Sequence, residues 1–306
     1  MPPYEGLSST HANAYLTAGW TDPARAAGYN ALQMKLYPLA LAAALTLPAT
    51  SLYAQNTLGG SIPGEARSGA TKGYTPPTGP APRTAAGKPD FSGVWDHPYV
   101  PDMSRSNPRN PAVQKGPGDL PYTAAGTANI AAYDPAKNGD YTGMCMPFGL
   151  MRSMNSPYPL QIMQNDKYVA FLFEQSTWFH IVPFKAEHSK DPNPTWFGES
   201  IAKWEGDSVV IDTIGFNGFT RLDTKGNPHS DKLHMVQTLT RTDAGHIAYK
   251  VTIEDPVYYA TPFTNERTFT VANTELLEYS CEENNRSLWE GRIKIWQVPG
   301  SEKLRK

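Results

Sequence analysis

From Leu160 onward the chain is cut by turn residues into short β-prone runs, and none of these runs carries a helical period. That constrains the fold more than any other feature. The clearest case is residues 196–217, WFGESIAKWEGDSVVIDTIGFN. Two apolar runs, Ile201–Trp204 and Ser208–Ile214, flank Glu205-Gly206-Asp207, and a short glycine-containing link between β-prone runs signals a hairpin. In the second run Val209, Ile211 and Thr213 share one face, and Val210, Asp212 and Ile214 share the other. A carboxylate between two branched aliphatics needs either a solvated face or a polar-lined cavity.

The pattern repeats along the chain. Leu160–Gln164 and Tyr168–Gln175 flank Asn165-Asp166, and Thr177–Phe184 follows, with Trp178, His180 and Val182 on one face. His234–Thr242 and His246–Glu254 flank Asp243-Ala244-Gly245. Ile247, Tyr249, Val251 and Ile253 form an apolar face, and Asp255-Pro256 stops the strand because proline cannot continue a ladder. Glu266–Val271, Leu276–Cys281 and Lys294–Val298 complete about nine or ten strands. Sequential hairpins favour an up-and-down meander, which removes its exposed edges by closing. The expected fold is therefore all-β: one antiparallel meander β-barrel domain over 90–298, with a tail at 299–306.

The first half reads differently. Most of the 28 prolines lie there, and the ten between His97 and Pro159 argue against a ladder. We expect a proline-rich arm, 97–159, wrapped outside the barrel, with one short helix at Thr123–Tyr133 and an exposed loop at Asn107–Asn110. Residues 55–89, rich in Gly, Pro, Ser, Thr and Ala, read as a flexible linker. Residues 34–54, MKLYPLALAAALTLPATSLYA, have a lysine, a short apolar run and a closing small residue, the layout of a signal peptide. The run is too short for a comfortable span, so no membrane span is expected after its removal. Residues 1–33 read as a disordered or misassigned leader, with translation expected at Met34. The expected location is periplasmic or secreted. Cys145 and Cys281, the only two cysteines, are then candidates for a bridge that pins the arm, the alternative being two buried thiols.

A net charge near -2 gives no basic footprint for nucleic acid. Walker, G-x-G-x-x-G and G-x-S-x-G motifs are missing, so no cofactor is expected. No metal site is assigned, since neither cysteine sits in a ligand cluster and His229, Asp231 and His234 match no fixed ligand geometry. Candidate acid–base residues are His229, His234, Asp212 and Glu254. The bland reading is an exposed His229, a satisfied strand His234 and carboxylates in water. Candidate ligand-binding residues are Trp178, His180, Trp196, Phe216, Tyr258 and Glu174, aromatic and polar groups suited to a barrel mouth. Two functions follow. One is an exported barrel binding a small apolar or aromatic molecule. The alternative is a cofactor-free acid–base enzyme (isomerase, cyclase, lyase or hydrolase) acting on such a molecule inside the barrel.

Several segments taken together carry a resemblance: DFSGVW at Asp90, CMPFG at Cys145, KWEGDSVVIDTIGFN at Lys203, TIEDPVYY at Thr252 and EYSCEENN at Glu278. The chain resembles a widespread, uncharacterised family of secreted bacterial proteins across residues 90–285. Gly93-x-Trp95 at a strand start also resembles lipocalin-like (calycin) barrels, in which such a Trp plugs one end. The resemblance implies a barrel and an export route, and supplies no reaction.

Overall fold

A computed structural model of the chain describes residues 74–135, 141–283 and 285, all within the compact unit Ser61–Lys306. The expected leader (1–33), signal peptide (34–54), last strand (Lys294–Val298) and tail (299–306) lie outside the described residues.

Ten strands form one antiparallel sheet among the described residues: β1 (Gly93–Asp96), β2 (Gln114–Lys115), β3 (Leu160–Gln164), β4 (Tyr168–Phe173), β5 (Phe179–Pro183), β6 (Glu199–Glu205), β7 (Ser208–Ile214), β8 (His234–Arg241), β9 (His246–Glu254) and β10 (Phe263–Val271). Their order is β5-β4-β3-β1-β10-β9-β8-β7-β6, with β2 extending the β1 edge of β10. Consecutive strands pair antiparallel from β3 to β5 and from β6 to β10, and the first strand sits between the two runs, pairing with β3 and β10. The two ends of this order meet. A parallel bridge links Phe184 to Ala202, the Phe184 and Trp204 rings stack at 5.6 Å, and His180 Nε2 lies 2.9 Å from Ser200 Oγ. The result is a nearly closed all-β barrel.

Alternation sets the two sides of its wall. Val209, Ile211 and Thr213 of β7 point inward and are at most 1% exposed, as are Ile247, Tyr249, Val251 and Ile253 of β9. Trp95 is fully buried, and its indole N–H donates to Phe91 O at 3.0 Å, so the ring enters the core without an orphaned donor.

Three expectations need correction. The proline-rich arm does not lie outside: Val100, Met103, Phe148, Leu150, Met151 and Met154 belong to the central core. Proline forbids ladder pairing but not burial, and the apolar residues between the prolines fill one end of the barrel. Within the arm, α1 (Ala124–Ala131) is the expected helix, capped by Thr123, and α2 (Leu150–Met154) is a single buried turn. Second, the end of the expected linker is docked. Arg83 pairs with Asp207 at the β6–β7 turn, and Ala244 N–H donates to Gly79 O at 3.0 Å. Third, Leu276–Cys281 is not a strand. Both edges of β10 are already taken, one by β9 and the other by β1 and β2, so the segment cannot extend the meander beside it.

Candidate functional site

The cysteines form the Cys145–Cys281 disulfide, with Cα atoms 5.3 Å apart. It fastens residues 276–282 to the turn at 141–145, beside the turn that leads into β5. Two further contacts hold that segment: Leu277 N–H donates to Glu174 Oε2 at 2.8 Å, and the Tyr158 and Tyr279 rings meet edge-on at 5.8 Å. Between segment and turn lies a cleft of about 270 Å³, lined by Ser176, Thr177, Trp178, Tyr279 and the disulfide, with Glu278 and Glu282 on the same wall. Ser176, Thr177 and Cys145 have φ of 62°, 53° and 57°. They are the only non-glycine residues with positive φ among the described residues, and all three border this cleft. Left-handed backbone is costly for such residues and gathers where surrounding structure enforces it, often at binding sites. Trp178 is half-buried, and its indole N–H, itself buried, has no acceptor among the described residues.

Of the expected ligand-binding residues, Trp178 lines the cleft and Glu174 braces its wall from behind. His180 points into the barrel beside Phe171 and Phe197. Its Nε2 meets Ser200 Oγ, which lies 2.7 Å from Thr213 Oγ1, and burial lowers its pKa to about 4, so the imidazole is neutral at pH 7. Phe216 is buried against His229. Trp196 packs between Tyr141 and Phe219. Tyr258 serves helix α1, its hydroxyl accepting from Asn129 Nδ2 at 3.3 Å. These groups gather around one end of the barrel but do not converge on one cavity.

The acid–base candidates divide. His229 is buried, with Nδ1 3.1 Å from Ser230 O and Nε2 2.7 Å from Thr220 Oγ1. A carbonyl only accepts, so Nδ1 carries the proton and Nε2 accepts from the Thr220 hydroxyl. Burial lowers its pKa, and it is fully engaged as a neutral core group rather than exposed on a loop. Gly149 makes the packing possible: at φ +90° it lies so close that a Cβ there would meet Thr220 Oγ1 at 2.4 Å.

Asp212, His234 and Glu254 do come together, but on the outer face of the wall. The register places His234 directly opposite Glu254. His234 Nδ1 lies 3.3 Å from Glu254 Oε2, and Nε2 lies 3.0 Å from Asp212 Oδ2. His188, which sequence reasoning missed, places Nε2 2.9 Å from Asp212 Oδ1 and Nδ1 3.6 Å from Glu199 Oε1. One carboxylate is thus shared by two imidazoles in a row that ties the 184–198 connection to the sheet. Burial opposes charge on Asp212, but hydrogen bonds from His234 and His188 hold its pKa below the usual range. Burial likewise opposes charge on His234, and Asp212 and Glu254 outweigh it and raise its pKa. The Ser189 backbone N–H, with Lys185, brings Glu199 down to about 2. Among the described residues no group of three or more His, Cys, Asp or Glu has the arrangement of a metal site.

A second polar group, also missed, lies inside the barrel. Tyr249 O–H donates to Gln237 Oε1 at 2.9 Å, Arg267 Nε donates to Asn265 Oδ1 at 2.8 Å, and Arg267 Nη1 donates to Met154 O at 2.8 Å. Burial lowers the Arg267 pKa to about 10, which leaves it charged at neutral pH. Its guanidinium rests on the Tyr249 ring and closes the orphaned carbonyl end of α2. No protein-family model matches this chain, and no curated protein does either. The residues themselves therefore carry the functional reading.

Proposed function

We propose that the protein is an exported β-barrel that binds a small apolar or aromatic molecule in the cleft beside Trp178. One observation carries this reading: a 270 Å³ cleft bordered by the three non-glycine residues of positive φ among the described residues, with Trp178 and Tyr279 in its lining. A ring laid between Trp178 and Tyr279 gains contact area. The signal-peptide layout of residues 34–54 and the disulfide support export, as does the resemblance to secreted bacterial proteins. The test is tryptophan fluorescence titrated with a panel of small aromatic compounds. Saturable quenching is expected, weakened roughly tenfold by Trp178→Ala. An unsaturable response throughout the panel, or an affinity indifferent to Trp178→Ala, refutes the reading.

The acid–base alternative has one specific support, the His188–Asp212–His234–Glu254 row. None of these groups points into the barrel, so an enzyme built on them works at the outer wall, not inside. Turnover of any panel compound that disappears in Asp212→Asn and persists in Trp178→Ala favours that reading over the first.

A further inference from the structure

The outside of the barrel is not uniform. On β7–β10 the outward positions are rich in hydroxyls and charges, including Asp212, Thr238, Thr240, Lys250, Glu254 and Glu266. On β3–β5 they are not. Register places Gln161, Leu172 and Phe179 in one row, Met163, Ala170 and Ile181 in the next, and Tyr168 beside Pro183 in a third. No member of this grid carries a charge. Phe179 is 66% exposed, Ile181 54%, Met163 53% and Tyr168 43%. Among the described residues, four of the seven large exposed hydrophobic residues therefore lie on three adjacent strands, where scattered single residues are the ordinary case.

We propose that the outer face of β3–β4–β5 is the interface of a two-fold symmetric homodimer. The area suits a specific but dissociable pair. At about 200 Å² for a fully exposed large side chain, the four residues present roughly 430 Å² per copy. With the partly exposed Leu172, Gln161 and Pro183 around them, two copies remove roughly 1,000–1,200 Å², at the threshold for a specific interface and below the obligate range. The shape suits a second copy as well. Sheet walls pack face to face at about 10 Å, and a two-fold axis presents each uncharged grid with its own equal. Cover here also braces β5, whose other neighbour, β6, holds it by one isolated bridge and side-chain contacts. A lipid surface fits less well. Among the described residues the cations on these strands and their turns are Lys167, beside Asp166 in the β3–β4 turn, and Lys185, which is tied to Glu199 at 3.0 Å, and two such residues do not make the basic rim that holds a protein on anionic lipid.

The experiment is sedimentation velocity of the full, disulfide-intact chain from about 1 to 100 µM, a range that brackets the micromolar affinity expected of so small an interface. A monomer–dimer equilibrium is expected. Phe179→Glu and Ile181→Lys should each weaken it at least roughly tenfold, and Phe219→Glu, off this face, should leave it unchanged. Circular dichroism shows whether each variant folds. Hydrogen exchange on the wild type needs no variant, and protection of residues 160–183 should rise with protein concentration. A single monomeric species at the highest concentration overturns the proposal. So does a dimer indifferent to both substitutions, exchange that does not respond to concentration, or a monomer that co-sediments with phosphatidylcholine vesicles.

Discussion

Opening the Cys145–Cys281 bond tests the stability of the fold and the proposed site together. The bond closes a loop with a sequence separation of 136 residues. In the chain-entropy model a loop of that length restrains the unfolded chain by about 5 kcal/mol. A domain of this size loses about 2–4 °C in Tm per kcal/mol, so Cys145→Ser/Cys281→Ser should melt about 10–20 °C lower. The same change frees the wall formed by residues 276–282, which keeps the Leu277–Glu174 hydrogen bond and the Tyr158–Tyr279 contact but loses its covalent anchor. Ligand quenching of Trp178 should therefore weaken in the double variant at temperatures where the barrel is still folded. Calorimetry with and without reductant, paired with the fluorescence titration, reads both effects. A Tm drop under about 3 °C, in the reduced wild type as well as in the variant, would show that the loop is restrained by other contacts and that this reasoning is wrong.

Other predictions concern the polar groups. Burial sets the His180 pKa at about 4, below the ordinary 6.5, so its contribution is complete above 6.5 and is lost as pH falls toward 4. That amounts to about 3 kcal/mol, and urea unfolding at pH 7.5 and 4.5 should show a smaller acid loss in His180→Leu. His234 is shifted the other way: its contribution is present below its ordinary value and fades as pH rises through the raised one. Asp212, shifted down, contributes above the usual carboxylate range and fades in acid. The row should thus stabilise most at weakly acidic pH, and the difference between wild type and His234→Gln should shrink toward pH 9, with NMR titration of the imidazoles as the direct check. Gly149→Ala forces a side chain into left-handed backbone and against Thr220, and should cost about 2–4 kcal/mol by urea unfolding.

The sheet was legible because alternation has a physical cause that survives in the sequence. The inward set Val209, Ile211 and Thr213 can be read directly, as can the end of β9 at Asp255-Pro256. What failed was whatever depended on contacts distant in the chain. Arg267 and Asn265 sit at inward positions of β10, and only the helix end at Met154 and the Met103 carbonyl explain why polar groups belong there. His188 stands in a connection without a period, so nothing marked it as the second imidazole on Asp212. The arm deceived by composition. Its prolines announced irregular backbone, which is correct, and irregularity was mistaken for a place outside the core. The cleft arises from two turns and a disulfide, none of which leaves a periodic trace.

The position of β1 has a consequence for how the molecule comes into being. This early strand is zipped to β10, the last strand described, and the core cannot be completed while β10 is missing. Such wiring postpones closure until nearly the whole polypeptide has emerged, and long-range pairing is slow even then. A nascent chain built this way keeps its barrel open for most of its synthesis.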